Sequence, residues 1–198
     1  MEFTNIAYVV GAVCFILGIK MLSHPRTARK GNGIASLGML VAIVATLTAG
    51  EVLDFKMIGI AVLIGSVIGG FIARKIEMTQ MPQMVAIFNG LGGGASALVA
   101  SAEFFSQYNH SPSSFLLITI ILSVFIGTLT LTGSFVAFGK LQGFISGKPI
   151  VFPAQQLFNA LLLVSVFVFG YFILGKPIDL NFFYAVLISA AILGITLT

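Results

Sequence analysis

Long apolar stretches separated by short polar segments dominate this chain of 198 residues. Each stretch approaches the ~20 residues that cross a hydrocarbon core of about 30 Å as an α-helix. Seven such stretches are present: residues 6–22, 34–49, 57–73, 84–102, 115–138, 158–174 and 182–197. The alternating pattern of outer-membrane barrel strands is missing, and helices satisfy their own backbone hydrogen bonds within lipid. The pattern therefore predicts an all-α, polytopic membrane helix bundle in which residues 1–198 form one transmembrane domain.

The composition agrees with a membrane location. Hydrophobic residues make up 58% of the chain and charged residues only 8%, whereas soluble domains carry about a quarter of charged residues. The first stretch does not resemble a cleavable signal peptide, because the segment before it contains Glu2 and no basic residue. This start also lacks the Arg and Ser of a transit peptide, which favours a bacterial membrane. The single Cys14 excludes an intramolecular disulfide and a metal cluster of thiolates.

The basic residues predict the orientation of the chain, since short basic loops are retained in the cytoplasm. The loops after the first, third and fifth stretches carry most of them: Arg26, Arg29, Lys30, Arg74, Lys75, Lys140 and Lys148. The alternate loops carry most of the acidic residues, including Glu103. We therefore expect the N-terminus outside and the C-terminus inside a bacterial cytoplasmic (inner) membrane. The net charge of +4 follows from this asymmetry and gives no reason to expect nucleic-acid binding.

Residues 78–96, "MTQMPQMVAIFNGLGGGAS", place four glycines, an asparagine and a serine at the start of the fourth stretch. One interpretation is a dinucleotide-binding turn, because Gly90, Gly92 and Ala95 fit the pattern G-x-G-x-x-A. The context argues against it. No strand precedes the glycines, apolar residues continue on both sides, and no acidic residue lies about 20 positions further on to hold a ribose.

A second interpretation of the same residues is helix packing. At about 100° per residue, Asn89, Gly93, Ser96, Ala100 and Glu103 fall on one small and polar stripe. Each glycine costs up to about 1 kcal/mol against alanine in a helix, so a cluster of them needs a packing or functional reason. Small residues let neighbouring backbones approach closely within a bilayer. The predicted packing residues are Gly90, Gly92, Gly93 and Gly94.

A third interpretation is a hydrated proton path, because polar residues at membrane depth are functional candidates. The fifth stretch supplies two polar stripes, one with Thr128 and Thr132 a turn apart and one that includes Ser123, Thr130 and Ser134. Hydroxyl side chains in membrane helices also bond to their own i−4 carbonyl, so a local role remains open. The candidates for the proton path are Asn89, Ser96, Thr128, Thr132 and Ser134.

The chain offers no catalytic chemistry of its own. The seven stretches contain no Asp, Glu, His or Arg, so no side chain predicted at the membrane midplane titrates near neutral pH. No catalytic triad, paired carboxylates, cofactor site or metal site is predicted. A small secondary transporter or channel subunit is the alternative function, although only the glycine run suggests the broken helices typical of transporters. A purely structural membrane subunit would leave the aligned polar stripes unexplained.

Two segments carry a resemblance to a known family. The runs "KIEMTQMPQMVAIFNGLGGGASALVA" and "GTLTLTGSFVAFGKLQGFISGKP", with "RTARKGN" after the first stretch, resemble the membrane part of the beta subunit of proton-translocating NAD(P) transhydrogenase. The resemblance implies an enzyme complex that transfers a hydride from NADH to NADP+ while protons cross the membrane. It also implies that this chain binds no cofactor, because NAD(H) and NADP(H) bind to soluble domains of the complex.

The resemblance further implies partners, and the chain departs from the family pattern in two respects. The implied partners are an alpha subunit, an NADP-binding domain, the lipid bilayer and a second copy of the complex. Some bacterial members have a histidine of the proton pathway where this chain has Asn89, whose amide does not titrate. The family's beta subunit continues with further membrane helices and a cytosolic NADP(H)-binding domain. We therefore expect this chain to be a shortened form of the subunit or one piece of a split subunit.

Overall fold

Seven α-helices make up almost all of the described chain. The computed structural model describes residues 2–49, 54–110, 112–148, 151–175 and 178–198. The helices are α1 Glu2–Leu22, α2 Pro25–Thr48, α3 Phe55–Lys75, α4 Met81–Gln107, α5 Ser114–Leu141, α6 Gln155–Ile173 and α7 Leu180–Leu197, and Met78–Gln80 form a short 3-10 turn before α4. All seven α-helices are long and apolar enough to cross a membrane. The predicted all-α, multi-pass membrane architecture is therefore confirmed.

The second helix begins well before the stretch predicted from hydropathy. The apolar stretch starts at residue 34, whereas α2 starts at Pro25, which occupies the first helical turn. Proline suits that position because its missing N–H would have no helical partner there. The Thr27 hydroxyl also donates a hydrogen bond of 2.6 Å to the carbonyl of Met21. The prediction that the basic residues lie in loops was wrong for most of them. The first turns of α2 carry Arg26, Arg29 and Lys30, and the last turns of α3 and α5 carry Arg74, Lys75 and Lys140.

The fourth helix extends beyond its predicted end. The apolar stretch stops at residue 102, where Glu103 interrupts it, but α4 continues to Gln107. The reason is Phe104, which is 1% exposed and stacks on Phe183 of α7 with a distance of 4.1 Å between ring centroids. The prediction that Glu103 lies in a loop was therefore wrong, because Glu103 belongs to α4.

The contacts divide the chain into two compact units, residues 1–75 and residues 76–198. In the first unit, α1 and α2 pack through glycines. A Cβ atom at Gly31 would lie 2.7 Å from the carbonyl oxygen of Gly18, and a Cβ atom at Gly38 would lie 2.7 Å from Cβ of Cys14. The backbones of α1 and α2 can therefore approach closely only because these positions lack side chains. No described residue of α3 is buried.

In the second unit, α5 packs against both α4 and α7, and α6 packs against α7. The most deeply buried side chains are apolar and come from all four helices: Phe104, Val124, Val166, Ile173, Phe183 and Val186. The helices are apolar on almost every side, so packing rather than amphipathicity decides which faces meet. This unit contains all the residues predicted for the proton path and for glycine packing.

Candidate functional site

Glycines allow α4 and α5 to touch backbone to backbone. A Cβ atom at Gly93 would lie 2.7 Å from Cβ of Thr130 and 2.8 Å from the carbonyl oxygen of Gly127. Conversely, a Cβ atom at Gly127 would lie 2.5 Å from the carbonyl oxygen of Gly93. Real Cβ atoms do not approach other heavy atoms so closely, so these two glycines set the crossing point of the helices.

The other three glycines of the predicted packing set differ from one another. Gly90 and Gly94 are buried. A Cβ atom at Gly90 would lie 3.0 Å from Cβ of Ser134, and a Cβ atom at Gly94 would lie 3.0 Å from Cδ1 of Leu131, both on α5. A Cβ atom at Gly92 would meet no heavy atom of the described chain within 4 Å. The structure thus places Gly90, Gly93 and Gly94 at the α4–α5 contact and Gly92 outside it. A packing role for Gly92 stays a prediction that needs a partner from elsewhere.

The buried face of α4 is displaced from the stripe that the sequence suggested. Its buried residues are Gly90, Gly94, Ala97, Ala100 and Phe104. Asn89 and Ser96 lie beside this face and are exposed in the isolated chain. The displacement arises because the backbones of α4 and α5 approach each other most closely at Gly93. The buried positions of α4 lie on one side of Gly93 around the helix, and Asn89 and Ser96 lie on the other side. The polar residues of α4 therefore border the helix contact instead of filling it.

One hydrogen bond joins two of the predicted path residues across this contact. The side-chain amide nitrogen Nδ2 of Asn89 donates to Oγ of Ser134 over 2.9 Å. Ser134 is only 8% exposed, so a buried hydroxyl on α5 holds the amide of α4 in place. The amide oxygen of Asn89 has two lone pairs with which it can accept hydrogen bonds from water.

Two neighbouring cavities lie along α4 and α5, between Asn89 and Glu103. The first has a volume of about 580 Å³ and is lined by Asn89, Ser96 and the α5 residues Thr119, Ser123 and Thr130, among others. The second, of about 550 Å³, shares Ser96, Thr119 and Ser123 with the first and extends to Glu103. We call these two cavities together the α4–α5 groove. Polar side chains of both helices gather in this groove, although most of its lining surface is apolar.

Two hydroxyl groups in the α4–α5 groove donate to their own helices. Oγ of Ser96 donates to the carbonyl of Gly92 over 3.1 Å, and Oγ1 of Thr119 donates to the carbonyl of Phe115 over 2.9 Å. This local bonding is the alternative that the sequence left open. This bonding uses the donor hydrogen of each hydroxyl group, but the oxygen can still accept hydrogen bonds from water.

Thr128 and Thr132 lie on a different side of α5. Thr132 contacts Gly194 of α7, and its hydroxyl donates to the carbonyl of Thr128 over 3.1 Å. Thr128 is buried, and neither threonine lines the cavities that contain Asn89. The structure therefore joins Asn89 to Ser134 by a hydrogen bond and places Asn89 and Ser96 in one cavity, whereas Thr128 and Thr132 take part in neither arrangement.

Sequence reasoning missed Thr119, which lines both cavities of the α4–α5 groove. It lies one turn before Ser123, so extending that polar stripe of α5 by one turn could have found it. Glu103 was placed on the polar stripe of the fourth stretch, but it was also counted among the loop residues and was not named as a candidate for the proton path. Among the described residues, no group of three His, Cys, Asp or Glu side chains could hold a metal ion.

Comparison with known proteins gives the family. Residues 4–198 match the family model of the NAD(P) transhydrogenase beta subunit. The chain belongs to this family. Two curated relatives from Rhodospirillum rubrum, one of them from a named strain, are both called NAD(P) transhydrogenase subunit beta. Each is 41% identical to this chain over 159 residues, which are 77% of this chain and 34% of the relative.

The match confirms the resemblance seen in residues 75–100 and 127–149. The family is the beta subunit of an oxidoreductase complex, and the seven apolar helices make this chain a multi-pass membrane protein. The chain spans about a third of the length of the curated relatives it matches. The comparisons give no support to the alternative of a small secondary transporter or channel subunit.

Proposed function

We propose that this chain is the membrane part of a proton-translocating NAD(P) transhydrogenase, and that the α4–α5 groove forms part of its proton path. Hydride transfer from NADH to NADP+ then takes place in soluble domains that bind both cofactors. The observation that carries the proposal is the hydrogen bond between Asn89 and Ser134, beside a groove in which further polar side chains gather. Polar side chains at membrane depth are candidates for a function.

The chemistry of the α4–α5 groove suits water better than lipid. A water molecule held inside a protein needs two to four polar partners. The amide of Asn89 and the hydroxyls of Ser96 and Ser123 supply both donors and acceptors along the groove. Protons can pass along water molecules that such groups hold in a row. Because an amide does not titrate, Asn89 positions water in this proposal and never carries the proton itself.

The α4–α5 groove requires a partner to complete it. Asn89 and Ser96 are exposed in the isolated chain, and lipid would offer no hydrogen-bond partner to the amide oxygen of Asn89. We infer that a membrane helix of the alpha subunit covers the groove in the complex. A titratable side chain on that helix, such as a histidine, would then set the pH dependence of proton transport. The proposed complex also includes an NADP-binding domain and is a dimer.

The proposal is tested by asking whether water enters the groove. Ser96→Cys, made with Cys14→Ala so that it is the only thiol, should react with a charged, water-soluble thiol reagent in vesicles containing the complete complex. Reaction should block most of the proton-linked transhydrogenation, because the attached group fills the groove beside Asn89. The measurements are the labelled fraction and proton uptake during hydride transfer.

The matched control is Leu98→Cys in the same background. Leu98 is 73% exposed and lies outside the residues that line the groove, so the charged reagent should not reach it through lipid. Equal labelling at positions 96 and 98, or full proton uptake after labelling at position 96, would contradict a hydrated path.

The proposed location is the bacterial cytoplasmic membrane with the N-terminus outside. In the Cys14→Ala background, a membrane-impermeant thiol reagent added outside whole cells should label His110→Cys and should not label Arg29→Cys. Both positions are exposed in the isolated chain, so accessibility differs only by the side of the membrane. After the cells are opened, both should be labelled. The reverse pattern in whole cells would overturn the orientation.

A further inference from the structure

We propose that Glu103 is the group that exchanges protons between bulk water and the α4–α5 groove. This inference rests on the proposed function and adds to it a residue that the groove needs in order to work. Amides and hydroxyls can position water, but none of them takes up and releases a proton near neutral pH. A carboxyl group at one end of the groove can be protonated and deprotonated.

The position of Glu103 matches the end of a path that leads into the membrane. It lies on α4 near the end of the helix at Gln107. Between Asn89 and Glu103 the helix rises about 21 Å at 1.5 Å per residue, which is most of a hydrocarbon core. Glu103 therefore lies near the membrane surface, while Asn89 lies deep in the bilayer. The two cavities of the groove share Ser96, Thr119 and Ser123 and are lined only by residues of α4 and α5. Together they extend from Asn89 to Glu103.

The surroundings of Glu103 leave its carboxylate available to water. The side chain is partly buried and lines the same cavity as Ser96, Thr119 and Ser123. Its Oε1 atom accepts one hydrogen bond of 3.0 Å from Nε2 of Gln107. This bond holds the carboxylate at the end of the groove and leaves lone pairs on both oxygens for water.

The titratable groups near Glu103 are few among the described residues. The side chains that α5 contributes to its cavity are Leu116, Thr119, Ile120 and Ser123, none of which titrates near neutral pH. Along the chain, Tyr108 and His110 follow Glu103, and the His110 ring makes its hydrogen bond to the carbonyl of Ser106. Glu103 is thus the one acidic group among the residues that line the groove.

The helix dipole does not favour a glutamate at this place. The carbonyl groups at the C-terminal end of a helix carry partial negative charge, so an anion near that end of α4 is repelled, and the hydrogen bond to Gln107 stabilises the helix only weakly. Packing does not explain it either, because the neighbouring Phe104 fills the buried position against α7. Proton exchange gives a reason for a carboxylate that opposes the helix dipole while lining the groove.

The proposed step is a simple proton transfer that conserves charge. The carboxylate of Glu103 accepts a proton from hydronium or a buffer acid in bulk water and becomes a neutral carboxylic acid. It then donates that proton to a water molecule in the groove and becomes a carboxylate again. The same two transfers run in the opposite order when protons leave the groove. No electron moves and no other bond changes.

Glu103→Gln tests the inference in vesicles that contain the complete complex. Glutamine keeps the size of the side chain and can still bond to Gln107, but it does not titrate. We expect proton uptake coupled to transhydrogenation to fall by about a hundredfold at neutral pH, the lower end of the effect of losing a general acid–base group. Glu103→Asp should keep most of the activity with a shifted pH profile, because it retains a carboxyl group.

The matched control is Asp179→Asn. Asp179 is the N-cap of α7 and accepts a hydrogen bond of 2.8 Å from the backbone N–H of Asn181, a role that asparagine fills equally well. It lies in the same unit as Glu103 and outside the residues that line the groove. Removal of this carboxylate should leave proton uptake and its pH profile unchanged.

The possible results separate this inference from the proposed function. Normal proton uptake in Glu103→Gln, together with loss of uptake in Asn89→Leu, would overturn the role of Glu103 alone. Normal uptake in both variants would overturn the path through the groove as well. Equal loss in Glu103→Gln and Glu103→Asp, with an unshifted pH profile in the remaining activity, would show a structural role and overturn the inference.

Discussion

Asn89→Leu is expected to abolish proton-linked transhydrogenation while the complex remains assembled. Leucine fills the space beside Gly92 and Gly93 and removes both the donor and the acceptor of the amide. It also removes the 2.9 Å hydrogen bond to Ser134. Position 89 borders the helix contact and is exposed in the isolated chain, so the apolar side chain should not separate α4 from α5. Proton uptake by vesicles that contain the complete complex is the measurement, with the amount of assembled protein determined in parallel.

Asn89→Ala is the companion variant that separates space from polarity. Alanine removes the amide but leaves room in which water can replace it, so proton uptake should fall less than in Asn89→Leu. Because asparagine does not titrate, neither variant should move the pH at which the remaining uptake is half-maximal. Normal uptake by an assembled Asn89→Leu complex would remove Asn89 from the path and leave the glycine-rich segment as a packing motif.

The number and type of the helices could be predicted from the sequence because the bilayer dictates them. A chain in lipid must satisfy its own backbone hydrogen bonds, and apolar stretches long enough to cross the core have little choice but the α-helix. Helix ends were harder, as α2 and α4 show. A hydropathy pattern stops at the first charged residues, such as Arg29 or Glu103, whereas the backbone hydrogen bonds of a helix continue past them into the interfacial region.

The faces of α5 could not be assigned from the sequence alone. Both of its polar stripes follow the same helical period, so the sequence does not say which stripe meets α4 and which meets α7. Two glycines decide it in the structure. Gly127 faces α4, where a Cβ atom would meet the carbonyl of Gly93, and Gly133 faces α7, where a Cβ atom would lie 3.1 Å from the carbonyl oxygen of Gly194. Thr132, next to Gly133 in the chain, also faces α7. Thr132 therefore lies on a different side of α5 from the contact with Asn89.

Gly93→Ala is expected to destabilise the packing of α4 against α5, whereas Gly92→Ala is not. The added methyl group at position 93 would lie 2.8 Å from the carbonyl oxygen of Gly127 and 2.7 Å from Cβ of Thr130. Both atoms belong to or adjoin the backbone of α5, so no side-chain rotation relieves the contact and the helices must separate. Overpacking of this kind costs about 1–3 kcal/mol. The measurement is the stability of the purified complex against a denaturing detergent.

Gly92→Ala is the matched control, because it adds the same methyl group to the neighbouring position of α4. A Cβ atom at Gly92 would meet nothing in the described chain within 4 Å, and alanine favours the helix over glycine by about 1 kcal/mol. Gly92→Ala should therefore match or slightly exceed the stability of the unchanged protein. If both variants lose stability equally, a partner helix packs on Gly92 as tightly as α5 packs on Gly93. If neither does, the close approach at Gly93 does not hold the two helices together, and the hydrogen bond between Asn89 and Ser134 becomes the main link at this level of the membrane.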